Sequence, residues 1–244
     1  MKIAVINFSG NVGKSTIARH LLAPRIPGAK LLSIESLNAD ADQTQVMRGD
    51  QFSELQEYLQ VFANAIVDIG ASNVEELLAL MHRYRGRHAD FDYFVVPTVP
   101  ARKQQQDTLA TLAELARLGV RAERIRVVFN QVEADDDLER CFAPVLDFLR
   151  TSGAAAVSVD CRLEPNEIYG RIRGSGQDIA SIASDTTDFK SLISDAPDVE
   201  SRIEVARRLA THRLALGILP ELDACFAALA LTDSLQSVAE TAAL

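Results

Sequence analysis

The chain has 244 residues, 25 lysines and arginines against 34 aspartates and glutamates, a net charge of -9 and an apolar share of 48%. That size and composition allow a substantial core in one large domain, while the acidity excludes wholesale coating of nucleic acid and leaves only a local basic patch for phosphate contact. The three cysteines, Cys141, Cys161 and Cys225, are too few and too far apart in sequence for a disulfide framework or a C-x-x-C site, which favours a reducing, cytoplasmic setting.

A short β-branched run at residues 2–7 leads into a glycine turn, without the apolar stretch and cleavage site of a signal peptide. Further runs at 29–37, 63–69, 93–97, 125–131 and 155–159 are apolar and nearly uncharged, the pattern of strands buried on both faces of a parallel sheet. Helical periods lie between them, as in Leu77, Leu78, Leu80 and Met81 of a helix predicted over 74–85, with Ser72 or Asn73 as its cap. The class is therefore α/β, a mostly parallel twisted sheet flanked by helices. After residue 159 the strand signal stops, Gly170, Gly174 and Gly176 mark turns, and one helix is expected from 198 to about 217 and another from Pro220. We read 1–160 as the core and 161–244 as a helical extension packed on it within a single domain, the last residues fraying. The apolar stretch 214–231 is broken by Pro220, Glu221 and Asp223 and is too short to span a bilayer.

The most informative segment joins the first strand to an apolar helix through Ser9-Gly10-Asn11-Val12-Gly13-Lys14-Ser15-Thr16. A glycine-bearing turn running into a helix presents backbone N–H groups and a helix N-terminus to a phosphate chain. Gly10 and Gly13 let the backbone approach phosphates without a Cβ, Lys14 supplies a point charge for β- and γ-phosphates, the Ser15 hydroxyl can ligate Mg2+, and Thr16 backs the α-phosphate. The run 63–69 delivers Asp68 to the C-terminal edge of the sheet, where open α/β sheets bind ligands. There it either holds Mg2+, directly or through water, or serves as a turn residue after a strand. Gly70 opens a segment, 70–73, placed to sense a γ-phosphate.

The strict pattern G-x-x-x-x-G-K-[ST] fails, because its first glycine falls on Phe8. The loop instead resembles the deviant K-G-G-x-G-K-[ST] of the ParA/MinD group of P-loop ATPases. The combination of NFSGNVGKST, IESLNAD and IVDIGASN is most similar to the StbB-type plasmid stability proteins within that group. The resemblance implies a P-loop NTPase fold over roughly 1–160, ATP and Mg2+ as cofactors, weak hydrolysis of ATP to ADP and phosphate, and an ATP-bound homodimer. It further implies a role in plasmid partition or DNA positioning beside a plasmid-encoded, DNA-binding adaptor protein. On the site, it assigns residues 9–16 to the nucleotide and Lys14 and Asp68 to catalysis, with Ser15 and Asp68 on the metal. It also places the acidic switch I residues near Glu35 and Asp40; both are candidates for water positioning or outer-shell Mg2+ contact, taken here as Glu35 for the metal and Asp40 for catalysis.

Two departures carry consequences. The group's signature lysine falls on Ser9 and its second glycine on Asn11; since that lysine reaches a partner's phosphates, its loss implies a weaker dimer and slower hydrolysis. After the fifth strand, Asn130-Gln131-Val132-Glu133 keeps an asparagine for the purine edge but lacks the lysine of the guanine reader N-K-x-D, which favours ATP over GTP. Two basic clusters, around His82, Arg83, Arg85, Arg87 and His88 and around Arg202, Arg207, Arg208 and Arg213, are candidates for DNA phosphates or an acidic partner, the first equally for a helix C-terminus. The last residues carry no Lys or Arg, which disfavours a membrane helix. A non-hydrolysing nucleotide-binding adaptor and a metabolic enzyme with the same loop stand as competing functions.

Overall fold

The computed structural model describes residues 1–34, 49–84 and 87–231. Strands β1 (Lys2–Val5), β2 (Lys30–Ser33), β3 (Ala65–Asp68), β4 (Tyr93–Thr98), β5 (Ile125–Asn130) and β6 (Arg162–Leu163) pair in parallel in the order β2-β3-β1-β4-β5-β6. Successive side chains of a strand point to opposite faces, and here both faces are covered. Ile3 and Val5 of β1 belong to one buried cluster, Ala4 and Ile6 to the other.

Helix α1 (Lys14–Thr16) continues directly into a π-helical segment, Ile17–Leu22, and a 3-10 turn, Ala23–Arg25. Ile17, Leu21 and Leu22 pack it on the Ile3/Val5 face. The opposite face is covered by α2 (Gly49–Val61), α3 (Ala71–Arg83), α4 (Arg102–Arg117), α5 (Leu138–Cys141) and α6 (Ala143–Ser152), through side chains such as Phe52, Leu77, Leu112, Phe142 and Leu146. The chain then returns to the first face with α7 (Ile168–Arg171) and α8 (Ile179–Ala183), followed by α9 (Phe189–Asp195), which packs on α10 (Val199–Ala228), itself on that face. Cys161, Ile168, Ile179 and Leu222 share a cluster with Ile3 and Val5, so residues beyond 160 complete one side of the same core. No helix among the described residues is long and apolar enough to cross a membrane.

Several sequence expectations need correction. The sixth strand is not at 155–159: only Ala156 bridges Arg126 there, while Val157 and Val159 are exposed. It forms instead at Arg162–Leu163, after the stop assigned to the strand signal, where Phe129 and Val132 donate to Cys161 and Leu163 carbonyls. A two-residue edge strand leaves almost no periodic signature. The helix expected from Val74 starts at Ala71 with Gly70 as its cap, and the Asn73 N–H donates to the Gly70 carbonyl. Ser72 and Asn73 therefore lie inside the first turn, and the segment 70–73 that Gly70 opens is mostly helix. The two late helices are one: Ala215, Ile218, Leu222 and Cys225 are buried at helical spacing on both sides of exposed Pro220. Packing of that stripe outweighs the ladder bond that a proline removes. The expected fraying of the last residues falls outside the described residues.

Candidate functional site

The loop after β1 is built on Asn7, which is fully buried. Its amide donates to the Pro97 carbonyl and the Thr108 hydroxyl, each at 2.8 Å, and its Oδ1 accepts the Ser9 N–H at 2.7 Å. The Phe8 N–H donates to the Thr111 hydroxyl at 3.1 Å. β4 and α4 thus fix where the loop leaves the sheet. Lys14 is buried and turns back along the loop, its Nζ donating to the Ser9 carbonyl at 2.6 Å and the Asn7 carbonyl at 3.2 Å. Charge-assisted bonds of this kind lock the curl of the backbone.

Two residues of the loop sit in the left-handed region, Gly13 at φ 89° and Asn11 at φ 56°. Asparagine is, after glycine, the residue that visits this region most readily, which explains how Asn11 replaces a glycine without breaking the turn. At Gly13 the requirement is also steric, since an added Cβ would lie 2.2 Å from Asn130 Nδ2. That amide donates to the Val12 carbonyl at 2.9 Å. Asn130, buried at the end of β5, therefore props the loop after β1 from beneath; the neighbour that lines the cavity is Gln131, held at φ 59°.

These elements enclose a cavity of about 740 Å³ at the C-terminal edge of the sheet. Gly10, Asn11, Gly13, Lys14, Ser15 and Thr16 line it together with Asp68, Gly70 and Ala71. Asp68, in register with Val5 of β1 and Ser33 of β2, is largely buried. Ser9, Val12 and Asn130 lie behind this wall, all buried. Glu35 and Asp40 lie outside the described residues. Among the described residues no three His, Cys, Asp or Glu side chains gather as a metal cluster; Ser15, with its hydroxyl, and Asp68, with its carboxylate, are among the residues that line the cavity.

The opposite wall went unread in the sequence. It is formed by Arg19 and His20 from the helix after the loop, Gln131, and Tyr169, Ile172, Arg173 and Gly174 from the segment after β6. His20 is buried with its ring 5.9 Å from that of Tyr169, and burial, reinforced by the Arg19 charge and partly opposed by Asp178, lowers its pKa to about 4. Its Nδ1 and the Tyr169 hydroxyl are buried without hydrogen-bond partners among the described residues. Three arginines of the late basic cluster have local partners: Arg208 lies 5.3 Å from the Phe189 ring and 3.9 Å from Asp185, Arg207 3.6 Å from Glu204, and Arg202 donates to the Ala196 carbonyl. Of the early cluster, His82 and Arg83 are exposed at the end of α3, and Arg85 lies outside the described residues.

No protein-family model and no curated protein matches the chain. Among solved structures, the chain is similar to the MinD cell division protein of Aquifex aeolicus, at 15% identity over 86% of this chain and 96% of that one, with a TM-score of 0.50. It also matches apo McdA of Cyanothece at 14% identity over 85% and 98% of the two chains, with a TM-score of 0.49. MinD of Pyrococcus horikoshii OT3 complexed with Mg-ADP follows at 11% identity over 89% and 95%, with a TM-score of 0.45. At such identities the likeness is one of fold, the P-loop NTPase fold of MinD, with a C-terminal helix closing one face.

Proposed function

We propose that the chain is a nucleotide-dependent switch of the ParA/MinD kind, binding ATP with Mg2+ and hydrolysing it slowly to ADP and phosphate. The observation that carries this reading is the single cavity in which the curled loop of residues 10–16, buried Lys14, the Ser15 hydroxyl and the Asp68 carboxylate converge. Backbone N–H groups and Lys14 neutralise the phosphates. One hydroxyl and one carboxylate suit Mg2+, which keeps several waters and takes its remaining ligands from substrate phosphate. The metal would supply charge neutralisation on the β- and γ-phosphates. In this reading Gly70 and Ala71, at the start of α3, register the terminal phosphate, and Glu35 and Asp40 are proposed for metal and water from the second strand's exit. Asn130 serves by supporting the loop, and the choice of ATP over GTP rests on the absence of a lysine after it.

The wider role we propose is StbB-type plasmid stability or DNA positioning in the cytoplasm, as an ATP-bound homodimer acting with a plasmid-encoded, DNA-binding adaptor. A non-hydrolysing adaptor is the second reading, supported by Ser9, which stands where a lysine is expected and is buried. Titration calorimetry tests the core claim. Lys14→Ala is expected to weaken Mg-ATP by about a hundredfold or more while the chain stays folded. In the same series, Asp68→Ala is expected to lower affinity with Mg2+ present more than without it; undiminished binding by Lys14→Ala would remove the reading.

A further inference from the structure

The sheet order gives the cavity a direction. β3 lies on one side of β1, and β4, β5 and β6 lie on the other. Asp68 and Gly70 therefore close one end, Gln131, Tyr169 and Arg173 the other, and Lys14 and Ser15 stand between them. The metal and terminal phosphate belong with Ser15 and Asp68, which leaves the far end for the nucleoside and the phosphate attached to it.

Two arginines line the cavity wall. Arg19 follows Ser15 by four residues along the helical segment, a spacing that shares a face, and Arg173 sits in a turn bounded by Gly174 and Gly176 at φ 76° and 75°. Both are exposed and both line the cavity. Among the described residues neither makes an ion pair or a side-chain hydrogen bond, whereas nearby Arg25 pairs with Asp223 at 2.7 Å and Arg171 with Glu167 at 3.1 Å. The only carboxylate on the described cavity wall is Asp68, at the other end. Two guanidinium groups lining one concave site, without carboxylate partners among the described residues, hold a positive field there. A guanidinium meets phosphate oxygens through paired N–H donors in one plane.

We propose that Arg19 and Arg173 clamp the nucleoside end of the bound nucleotide, both donating to the α-phosphate, Arg19 from the helical segment after the loop and Arg173 from the glycine-bounded turn. The proposal rests on the nucleotide reading above and extends it: beside the contribution of Lys14, part of the affinity is set at the phosphate that AMP, ADP and ATP share.

Calorimetric titration of the full chain with Mg-ATP, Mg-ADP and AMP tests this in wild type, Arg19→Ala, Arg173→Ala, the double variant and Arg173→Lys. Each alanine substitution is expected to weaken all three ligands by a common factor of about five to ten, and the double variant by about the product. Arg173→Lys should recover part of the loss. A loss confined to ATP would assign the arginines to the terminal phosphate and overturn the clamp, as would unchanged affinities in the double variant. Lys14→Ala, titrated alongside, separates the two failures. If it abolishes binding while the double variant binds normally, only the clamp falls; if it binds as wild type does, the nucleotide reading falls and the clamp with it.

Discussion

Gly13 holds φ at 89° with Asn130 Nδ2 directly beneath it, so both conformation and space exclude a side chain there. Gly13→Ala is expected to cost about 2–4 kcal/mol and to abolish nucleotide binding, because backbone strain adds to the loss of the Asn130 to Val12 bond. Asn11→Gly, at φ 56°, should stay within about 0.5 kcal/mol, since released strain and added chain entropy nearly cancel. Urea melts of both variants check the contrast; a tolerated Gly13→Ala would show that the loop does not need this conformation. His20 gives a test in pH. Its folded pKa, about 4, lies below its ordinary value of 6.5, so the unfolded chain binds the extra proton and stability is lost as pH falls from 6.5 towards 4. His20→Gln should flatten that limb by about 2 kcal/mol relative to wild type, read from urea midpoints at each pH.

Elements succeed or fail here through the face they bury. α10 runs through Pro220 because Ile218 and Leu222 pack on the same cluster, and the proline ring stays on the exposed side. The helix is further tied down by Arg25 to Asp223 at 2.7 Å and by Arg126 donating to the Leu229 carbonyl at 2.6 Å. Since an interior proline removes one helical bond and crowds the preceding turn, Pro220→Ala is expected to stabilise the chain by about 2 kcal/mol, visible as a raised urea midpoint with an unchanged slope. A loss of stability instead would mean that a bend at Pro220 is needed to fit α10 to the sheet. The phosphate loop shows the same dependence on neighbours, with β4 and α4 fixing Asn7 and β5 fixing Val12.

At the scale of the whole molecule, the proposed switch depends on two copies meeting across ATP. Ser9 is buried, its N–H bound to Asn7 and its carbonyl to Lys14, so position 9 offers no cation to a partner. A desolvated cation on a transferring phosphoryl group accounts for about 10³ or more in rate. The wild-type chain is therefore expected to hydrolyse ATP slowly until a partner protein supplies charge, and Ser9→Lys to tighten ATP-dependent dimerisation or raise turnover. Sedimentation in ATP and phosphate release check both. If wild type already forms a stable ATP dimer that Ser9→Lys leaves unchanged, another residue supplies that cation.

The sequence by itself determined the α/β class, five of the six strands to within a few residues, and the half of the cavity whose residues are consecutive. Gly10, Asn11, Gly13, Lys14, Ser15 and Thr16 could be read together because one turn carries them, and Asp68 because it ends a continuous apolar run. Folding brings Cys161 and Cys225, distant along the chain, into one buried cluster, where both remain free thiols. The other wall was invisible. Arg19 and His20 look like the polar side of a helix, and Tyr169 and Arg173 lie in a turn-rich stretch without period. Only the tertiary structure decided that β6 lies beyond β5 and that the chain after it returns over the phosphate loop. The physical reason is that local periodicity records which face of a segment is buried, whereas the meeting of two segments depends on sheet order and on cores that close across more than a hundred residues.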